Sequence, residues 1–268
     1  MKIVRFHNSG GNIQFGCQHE DGSTTVLEGD IYDSPRDTGE VADVVKLLAP
    51  IVPTDILCIG LNYRKHAEEG GSAIPEHPVL FMKNSGALQN PGDPIVLPRR
   101  LRSNEVDYEC ELGVVIGKEC FNVSQDDALK YVLGYVAVND VSARDWQLKW
   151  GGGQWCRGKS FATFAPLGPC LVTPDDIPDP NTLSIKTLLN GQVMQEANTD
   201  DMIFNVPALI AFLSGSTKLV PGTLISTGTP HGVGVARQPQ VFLKAGDTCT
   251  IEIDKIGSLT NPVVDERE

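Results

Sequence analysis

Residues 105–117 (EVDYECELGVVIG) are the strongest constraint on how this chain folds. Their second half is apolar and rich in valine and isoleucine, which predicts a buried strand. Their first half places Asp107, Glu109 and Glu111 two residues apart, so in a strand the carboxylates lie on one face. Such acids repel one another unless a cation lies among them, and oxygen ligands suit Mg²⁺ or Mn²⁺. We therefore expect a metal site; a solvated acidic edge strand is the alternative.

Composition and charge exclude several classes of function. The 268 residues are 41% hydrophobic and 21% charged, which is typical of a globular protein with a sizeable core. The net charge of −12 argues against nucleic acid or an anionic membrane as a partner, because both bind basic patches. No apolar run reaches the roughly 18 residues of a membrane span. The start of the chain lacks signal-peptide features, and the seven cysteines include no Cys-x-x-Cys pair. We expect a cytoplasmic protein with reduced thiols.

Strand patterns dominate the sequence and predict two parts. Residues 2–7, 13–19 and 24–32 predict short strands separated by turns, a small N-terminal β-meander. A helix is expected at residues 40–48, followed by Pro50 and Pro53. We therefore place a boundary near residue 50, with a small domain at 1–50 and the main domain at 51–268.

The main domain also reads as mostly β with some α structure, an α+β fold. Strands are expected at residues 56–60, 183–189, 192–196, 224–226 and 248–254, and helical segments at 62–69, 125–132 and 204–214. Asn190-Gly191 favours a type I′ hairpin turn. Because strands and helices do not alternate regularly, a doubly wound sheet or a β/α barrel is excluded.

Residues 153–160 (GQWCRGKS) match the phosphate-loop pattern G-x-x-x-x-G-K-S. A phosphate loop follows a buried strand and opens a helix whose N-terminus faces the phosphates. Here neither the preceding residues nor the following proline- and glycine-containing segment supports those elements. A phosphate-loop nucleotide-binding protein therefore stays a disfavoured alternative of another class, and we keep Lys159 for another role.

Two further segments carry candidate site residues. On a helix His66 and Glu69 share a face, so the glutamate can orient the imidazole as a general base; a surface His–Glu pair is the alternative. Residues 138–147 end an apolar strand with polar groups, where Asp140 is a natural further carboxylate for the metal. Arg144 and Gln147 there can hold an anionic substrate, although an internal Arg–Asp pair explains the pattern equally well.

Five motifs together resemble the fumarylacetoacetate hydrolase family. They are GLNYRKH (60–66), DYECELGVVIG (107–117), NDVSARDWQ (139–147), GKSF (158–161) and STGTPHGVG (226–234). Their order and spacing match over roughly residues 55–263. With VFLKAGD (241–247), the resemblance is strongest to the bacterial-type and "domain-containing protein 2" branch. It implies a mixed β-roll, a homodimer and one Mg²⁺ or Mn²⁺ per subunit.

The resemblance also assigns roles. The metal ligands fall on Glu109, Glu111 and Asp140, whereas Asp107 matches a position that is not usually a ligand. The catalytic residues are His66, Glu69 and Lys159, the lysine supporting a bound oxyanion. The substrate-binding residues are Arg144, Gln147 and Thr229. Two residues depart from the family pattern near the expected pocket: Asn84, which follows the lysine of FMKN (81–84), and His231, which precedes Gly232. The identity of the substrate therefore stays undetermined.

The chemistry implied by the resemblance is metal-dependent C–C hydrolysis of an acylpyruvate or a related 1,3-diketo acid through a metal-stabilised pyruvate enolate. His66 would deprotonate the water that attacks the distal carbonyl. The same enolate chemistry supports an oxaloacetate tautomerase or decarboxylase, and the sequence leaves that choice open. A binding protein that retains the fold without catalysis is the alternative of another class. A mobile lid is expected around residues 68–78.

Overall fold

The N-terminal residues form an antiparallel meander in a computed structural model that describes residues 1–267. Its strands are β1 (Lys2–His7), β2 (Ile13–Gln18), β3 (Thr24–Glu28) and β4 (Arg36–Val41). The three predicted strands are confirmed, and they pair in the order β4-β3-β2-β1. β1 also pairs with a strand of the main domain at residues 165–172, so the meander extends the larger sheet. The boundary near residue 50 stays a prediction.

The helix predicted at residues 40–48 is wrong. The segment completes β4 and then forms β5 (Lys46–Leu48), which pairs antiparallel with β1. Its three valines are β-branched and favour extended backbone. Ladder hydrogen bonds to β1 and the burial of Leu48 reinforce that preference, and together they outweigh a weak helical pattern.

The main sheet passes through the middle of the molecule and contains the predicted acidic strand. Beyond β1 it continues through β14 (Ala165–Val172), β12 (Val132–Asn139), β11 (Cys110–Ile116), β17 (Leu224–Ser226), β6 (Ile56–Gly60) and β7 (Val79–Lys83), with β8 (Leu88–Gln89) beside β14. Every residue of β11 is buried, because β12 and β17 flank it and other elements cover both faces. That position explains why its sequence is apolar without alternation.

The strand expected over residues 105–117 is interrupted. Its first part is β10 (Val106–Asp107), which pairs separately with β13 (Ser142–Ala143). Tyr108 and Glu109 belong to neither strand, and β11 begins only at Cys110. The break changes the direction of the side chains before it, which matters for the acidic cluster described below.

A second sheet packs against the first and completes the mixed β-roll. Its order is β16 (Gln192–Asn198), β15 (Ser184–Leu189), β18 (Thr248–Ile253), β19 (Gly257–Asp265) and β9 (Ile95–Leu97). Strands β14 and β12 contact β19 and β18 across the interface. The predicted hairpin is confirmed, since Asn190 and Gly191 both have positive φ, as a type I′ turn requires. The predicted mostly β fold with few helices is therefore confirmed.

The helices are few and short. They are α1 (Arg64–Glu69), α2 (Cys156–Lys159), α3 (Val206–Ser214), a π-helical turn (Asp145–Trp150) and 3₁₀ turns at Ser85–Ala87, Ala128–Tyr131, Thr199–Asp201 and Gly234–Ala236. Asn205 caps α3 by accepting from the Ala208 N–H at 3.0 Å. The helix expected at 125–132 is wrong in extent, because β12 starts at Val132 and leaves a single 3₁₀ turn. Within residues 1–267 no helix is long and apolar enough to cross a membrane.

Candidate active site

Three buried carboxylates meet where β11 begins and β12 ends. Glu111 lies in β11, Glu109 precedes that strand, and Asp140 directly follows β12. Cys110 pairs opposite Asn139, and the Asp140 N–H donates to the Glu109 carbonyl oxygen at 3.0 Å. One oxygen of each carboxylate lies within 4.8 Å of the others, and each residue is at most 5% exposed. The fold thus brings together the three acids that the sequence analysis assigns to a metal.

Two buried lysines hold these carboxylates in place. Lys159 Nζ donates to Glu109 Oε2 and to Asp140 Oδ2, both at 2.7 Å. Lys83 Nζ donates to Asp140 Oδ1 at 2.5 Å and to a backbone carbonyl at 3.0 Å. Burial alone would lower the pKa of Lys159, but Asp140 and Glu109 raise it above its ordinary value. Burial alone would raise the pKa of Glu109, but Lys159 and Arg144 hold it well below its usual range. Both groups therefore stay charged.

Glu111 is the carboxylate of this cluster without an ion-pair partner in the described part of the chain. Its Oε2 accepts hydrogen bonds from the Ser226 hydroxyl and from the Gly228 N–H at 3.0 Å, both neutral donors. Burial and repulsion from Asp140 and Glu109 raise the pKa of Glu111 well above its ordinary value. A divalent cation among the three acids would supply the missing positive charge, so the donor set fits Mg²⁺ or Mn²⁺.

Asp107 lies outside this cluster, so grouping it with the ligands by spacing is wrong. Because the strand breaks at Tyr108, the Asp107 carboxylate turns toward a loop at residues 232–235. It accepts hydrogen bonds from the N–H groups of Gly234 at 2.8 Å and Val235 at 3.0 Å. It also accepts from Arg144 Nε at 2.9 Å. Asp107 therefore anchors the loop and the arginine, in agreement with the non-ligand role that the resemblance gives it.

Arg144 and Gln147, predicted to bind substrate, are buried and are not among the residues that line the cavity described below. Arg144 is 5% exposed, and its Nη2 lies 2.6 Å from Glu109 Oε1 in an ion pair. Its Nη1 donates to Gln147 Oε1 at 2.9 Å. Arg144 and Gln147 thus form an internal support for Glu109, one of the three candidate metal ligands. Their role in substrate binding stays a prediction.

His66 and Glu69 lie together on α1, at the rim of the site. His66 Nδ1 lies 3.5 Å from Glu69 Oε2, and the Gly232 N–H donates to both Glu69 oxygens, at 3.1 and 3.0 Å. Burial alone would raise the pKa of Glu69, but His66 and the Gly232 N–H lower it below its ordinary value. An ionised Glu69 therefore stands beside the imidazole. Next to Gly232, His231 is half-buried, and its Nδ1 has no hydrogen-bond partner among residues 1–267.

A cavity of about 50 Å³ connects His66 and Lys159 with the carboxylates. Trp155 closes one side, with its ring 5.4 Å from that of Phe81 in an edge-on contact. A Cβ on Gly60 would lie 2.3 Å from the Trp155 ring, so the tryptophan occupies space that only glycine leaves free. The volume is comparable to one or two water molecules. An acid the size of oxaloacetate is larger than this space, so we expect the Trp155 segment to move when a substrate binds.

The sequence comparison decides the family. The family model described as "Fumarylacetoacetate (FAA) hydrolase C-terminal" matches residues 55–264. The chain belongs to the fumarylacetoacetate hydrolase family. A second model, "Rv2993c-like, N-terminal", matches residues 1–50. The resemblance stated from the motifs is thus confirmed, and the chain is an enzyme of this family, whose members commonly bind a divalent metal.

Similar proteins within the family carry several names. "Fumarylacetoacetate hydrolase domain-containing protein 2 homolog" of Dictyostelium discoideum is 51% identical over 227 residues, 81% of this chain and 74% of the relative. "Oxaloacetate tautomerase FAHD2A, mitochondrial" of Homo sapiens is 46% identical over 221 residues, which cover 82% of this chain and 70% of the relative. The solved 5-carboxymethyl-2-hydroxymuconate delta-isomerase of Mycobacterium smegmatis is 36% identical, with a TM-score of 0.87 and coverage of 99% and 100%.

Several residues of this fumarylacetoacetate hydrolase site were missed by the sequence analysis. Lys83 was noted only as the lysine before the departure at Asn84 and was given no role. Gln195 was read only as a hairpin residue, yet its Nε2 donates to Thr229 Oγ1 at 2.9 Å and fixes that predicted substrate-binding side chain. Ser226 stood in a recognised motif without an assigned role. Of the two departures, Asn84 is exposed and donates its N–H to Ser160 Oγ at 3.2 Å.

Proposed function

We propose that this protein interconverts the keto and enol forms of oxaloacetate or of a closely similar small 2-oxo acid. The observation that carries the proposal is a cavity of about 50 Å³ in which His66 and Lys159 face Glu109 and Glu111, while Asp140 is bound to Lys159. Tautomerisation requires only that a proton leave carbon and reach oxygen, so a small water-poor site is sufficient. Relatives about half identical in sequence, named oxaloacetate tautomerases, support the choice.

The charges of the site suit a small anionic acid. Four buried carboxylates share three buried cations: Asp107, Glu109, Glu111 and Asp140 on one side, and Lys83, Arg144 and Lys159 on the other. Glu109, Glu111 and Asp140 would hold Mg²⁺ or Mn²⁺, which acts as a Lewis acid on the oxygens of a 2-oxo acid. The ion and the Lys159 ammonium would then offer positive charge to the carboxylate and carbonyl oxygens of a small anionic acid.

The side chains divide the proton transfer between them. His66 lies on the cavity and has Glu69 behind it, so its imidazole can accept the proton from the carbon next to the carbonyl. Glu69, fixed by the Gly232 N–H, stabilises the imidazolium that results. Lys159 is held charged by two carboxylates and lines the same cavity, where its ammonium stabilises the developing oxyanion.

Hydrolysis of an acylpyruvate or another 1,3-diketo acid is the second candidate. The observation that favours it is the His66–Glu69 pair at the rim, which is suited to activating a water molecule. The solved structure named fumarylacetoacetate hydrolase from Exiguobacterium antarcticum is 33% identical, with a TM-score of 0.85 and coverage of 99% and 100%. In this reaction the attacked carbonyl lies beyond the pyruvate unit, so the substrate needs more space than oxaloacetate. Trp155 would therefore have to move further.

One set of assays separates these reactions. The purified protein, loaded with Mg²⁺, is given oxaloacetate, acetylpyruvate and fumarylpyruvate separately, with ultraviolet absorbance for the enol and a coupled assay for pyruvate. Enol decay of oxaloacetate without pyruvate supports the tautomerase. Pyruvate released from the diketo acids faster than the Glu111→Gln variant releases it establishes the hydrolase instead. Pyruvate released from oxaloacetate establishes a decarboxylase. No rate above the uncatalysed one with any of the acids would overturn both candidates.

The homodimer expected from the resemblance is part of the same proposal, as is a cytoplasmic location. Leu80 and Met82 of β7 and Leu148 and Trp150 of the π-helical turn are exposed apolar side chains. α2 contacts both β7 and the π-helical turn, so these side chains belong to neighbouring elements. Covering them in a second copy would remove apolar surface from water. Light scattering coupled to size-exclusion chromatography distinguishes a 28.9-kDa chain from its dimer.

A further inference from the structure

We propose that the N-terminal meander carries a second metal site, formed by Cys17, His19 and Asp37 and suited to Zn²⁺ or a similar transition-metal ion. It is separate in sequence and in donor chemistry from the three-carboxylate cluster. A thiolate, an imidazole and a carboxylate are the ligand types that zinc combines in proteins, whereas Mg²⁺ and Ca²⁺ prefer oxygen alone.

The register of the meander brings these side chains to one face. Cys17 lies opposite Thr25 in the β2–β3 ladder, so the two side chains share a face. His19 follows two residues later, and its N–H donates to the Ser23 carbonyl, which continues the ladder and keeps the imidazole on that face. On the next pair, Asp37 of β4 lies opposite Leu27, two residues from Thr25. Alternation therefore puts the three side chains on one face, where the register between β3 and β4 shifts between Thr25 and Leu27 and Asp37 Oδ2 lies 3.7 Å from His19 Nε2.

The distances are close to those of a coordinated ion. One donor atom from each of the three side chains lies within 4.8 Å of the others, and His19 Nε2 is 3.7 Å from Asp37 Oδ2. A four-coordinate zinc with bonds of 2.0–2.3 Å needs donor separations of about 3.3–3.6 Å. Since the His19 and Asp37 side chains are 40% and 30% exposed, small rotations of them suffice.

The surroundings also fit a bound ion. Asp37 Oδ1 accepts from the Gly39 N–H at 2.9 Å, which orients Oδ2 toward the imidazole. Thr25 Oγ1 lies 2.8 Å from His19 Nε2, so its hydroxyl is close enough to hydrogen-bond a side chain that coordinates the ion. Cys17 and His19 line an open groove of about 520 Å³, so water reaches two of the three donor residues.

An ion at this position would tie β4 to β2 across β3. β4 is mostly exposed and has little apolar contact of its own. A bound ion therefore adds a link that the hydrophobic core does not provide. The expected role is to hold the edge of the meander, with no part in the chemistry of the carboxylate site.

Cobalt distinguishes this site from the carboxylate cluster, because only a thiolate ligand gives a near-ultraviolet sulfur-to-cobalt charge-transfer band. The reduced, metal-stripped full chain is titrated with Co²⁺ without oxygen and in excess Mg²⁺. We expect a band that saturates at one Co²⁺ per chain and is displaced by Zn²⁺. Cys17→Ser should abolish it, and Asp37→Asn should weaken binding by more than about tenfold.

Two control variants and the surface position of Asp37 make the test decisive. Cys156→Ser removes an exposed thiol elsewhere and should keep the band, and so should Glu111→Gln, which damages only the carboxylate cluster. Asp37 is on the surface, so Asp37→Asn folds even if Cys17→Ser does not. No band in the unmodified protein, or a band that survives either Cys17→Ser or Asp37→Asn at full affinity, overturns the proposal.

Discussion

Lys83 Nζ lies 2.5 Å from Asp140 Oδ1, and both side chains are fully buried. Lys159 binds the other oxygen of the same carboxylate, so Asp140 is held from two sides. A buried ion is costly when its partner is removed, because the interior screens charge poorly. Lys83 therefore positions a carboxylate of the metal cluster, although it stands outside the motifs that suggested the site.

Replacing Lys83 with methionine should destabilise the metal-free protein by about 3 kcal/mol, since Asp140 keeps Lys159 but loses one of its two cations. Affinity for Mn²⁺ should also change, because Asp140 is no longer fixed. Urea unfolding and calorimetric titration measure the two effects. Lys130→Met is the matched control: its pair with Asp127 is exposed and screened by solvent, so its loss should change the stability far less than the loss of Lys83. Equal losses in the two variants would contradict the positioning role.

Glu111→Gln should stabilise the metal-free protein while removing metal binding. The folded-state pKa of Glu111 is raised above its ordinary value of 4.5 by burial and by Asp140 and Glu109. The folded state therefore binds more protons than the unfolded state, and stability falls as pH rises above 4.5. Glutamine is neutral, so the advantage of Glu111→Gln over the native chain should grow with pH across that range.

Unfolding curves from pH 5 to pH 8, recorded with and without Mn²⁺, test this prediction. With Mn²⁺ the native chain should become the more stable of the two, because only it binds the ion. Glu119→Gln, at an exposed pair with Lys218, should show neither effect. A pH-independent difference between native and Glu111→Gln protein would show that Glu111 is not repelled by its neighbours.

His66→Ala should reduce turnover by about 10²–10⁴-fold and leave the metal affinity nearly unchanged. The imidazole lines the cavity and contacts Glu69, but it is not one of the three carboxylate ligands. Enol decay of oxaloacetate gives turnover, and Mn²⁺ titration gives affinity. His7→Ala is the control, since His7 lies in β1 of the N-terminal meander and does not line the cavity. Loss of metal together with activity would argue against a proton-transfer role.

Local patterns predicted the central elements of the fold because their signals are short-range. The apolar run of β11, the Asn190-Gly191 turn and the capped α3 each follow from neighbouring residues alone. The helix expected at 40–48 failed because pairing with β1, more than thirty residues away, decides the conformation there. A local sequence pattern does not predict contacts between segments that are far apart in the chain.

In the candidate site, too, the residues with a local sequence signal were predicted and those joined by long-range contacts were not. Glu109 and Glu111 were predicted from their spacing, Asp140 from its place at the end of an apolar run, and all three from the family resemblance; the fold then brings them together, with Cys110 opposite Asn139. Lys83 reaches Asp140 from 57 positions away, and Gln195 reaches Thr229 from 34, so neither contact follows from spacing. The family motifs indicated which residues group at the site. The supporting residues Lys83 and Gln195 were identified only in the folded structure.

Asp107 allows the strand-spacing argument to be tested against the fold. Asp107→Asn should retain Mn²⁺ binding, because Asp107 bonds Arg144 and the loop at residues 232–235 and lies outside the cluster. It should lower stability by about 3 kcal/mol, because Arg144 loses a buried partner and the new amide nitrogen cannot accept from the loop N–H groups. Equilibrium dialysis with Mn²⁺ and urea unfolding measure the two quantities. If a folded Asp107→Asn protein lost Mn²⁺ as completely as Glu111→Gln, all three spaced acids would be ligands and the break at Tyr108 would be irrelevant to the site.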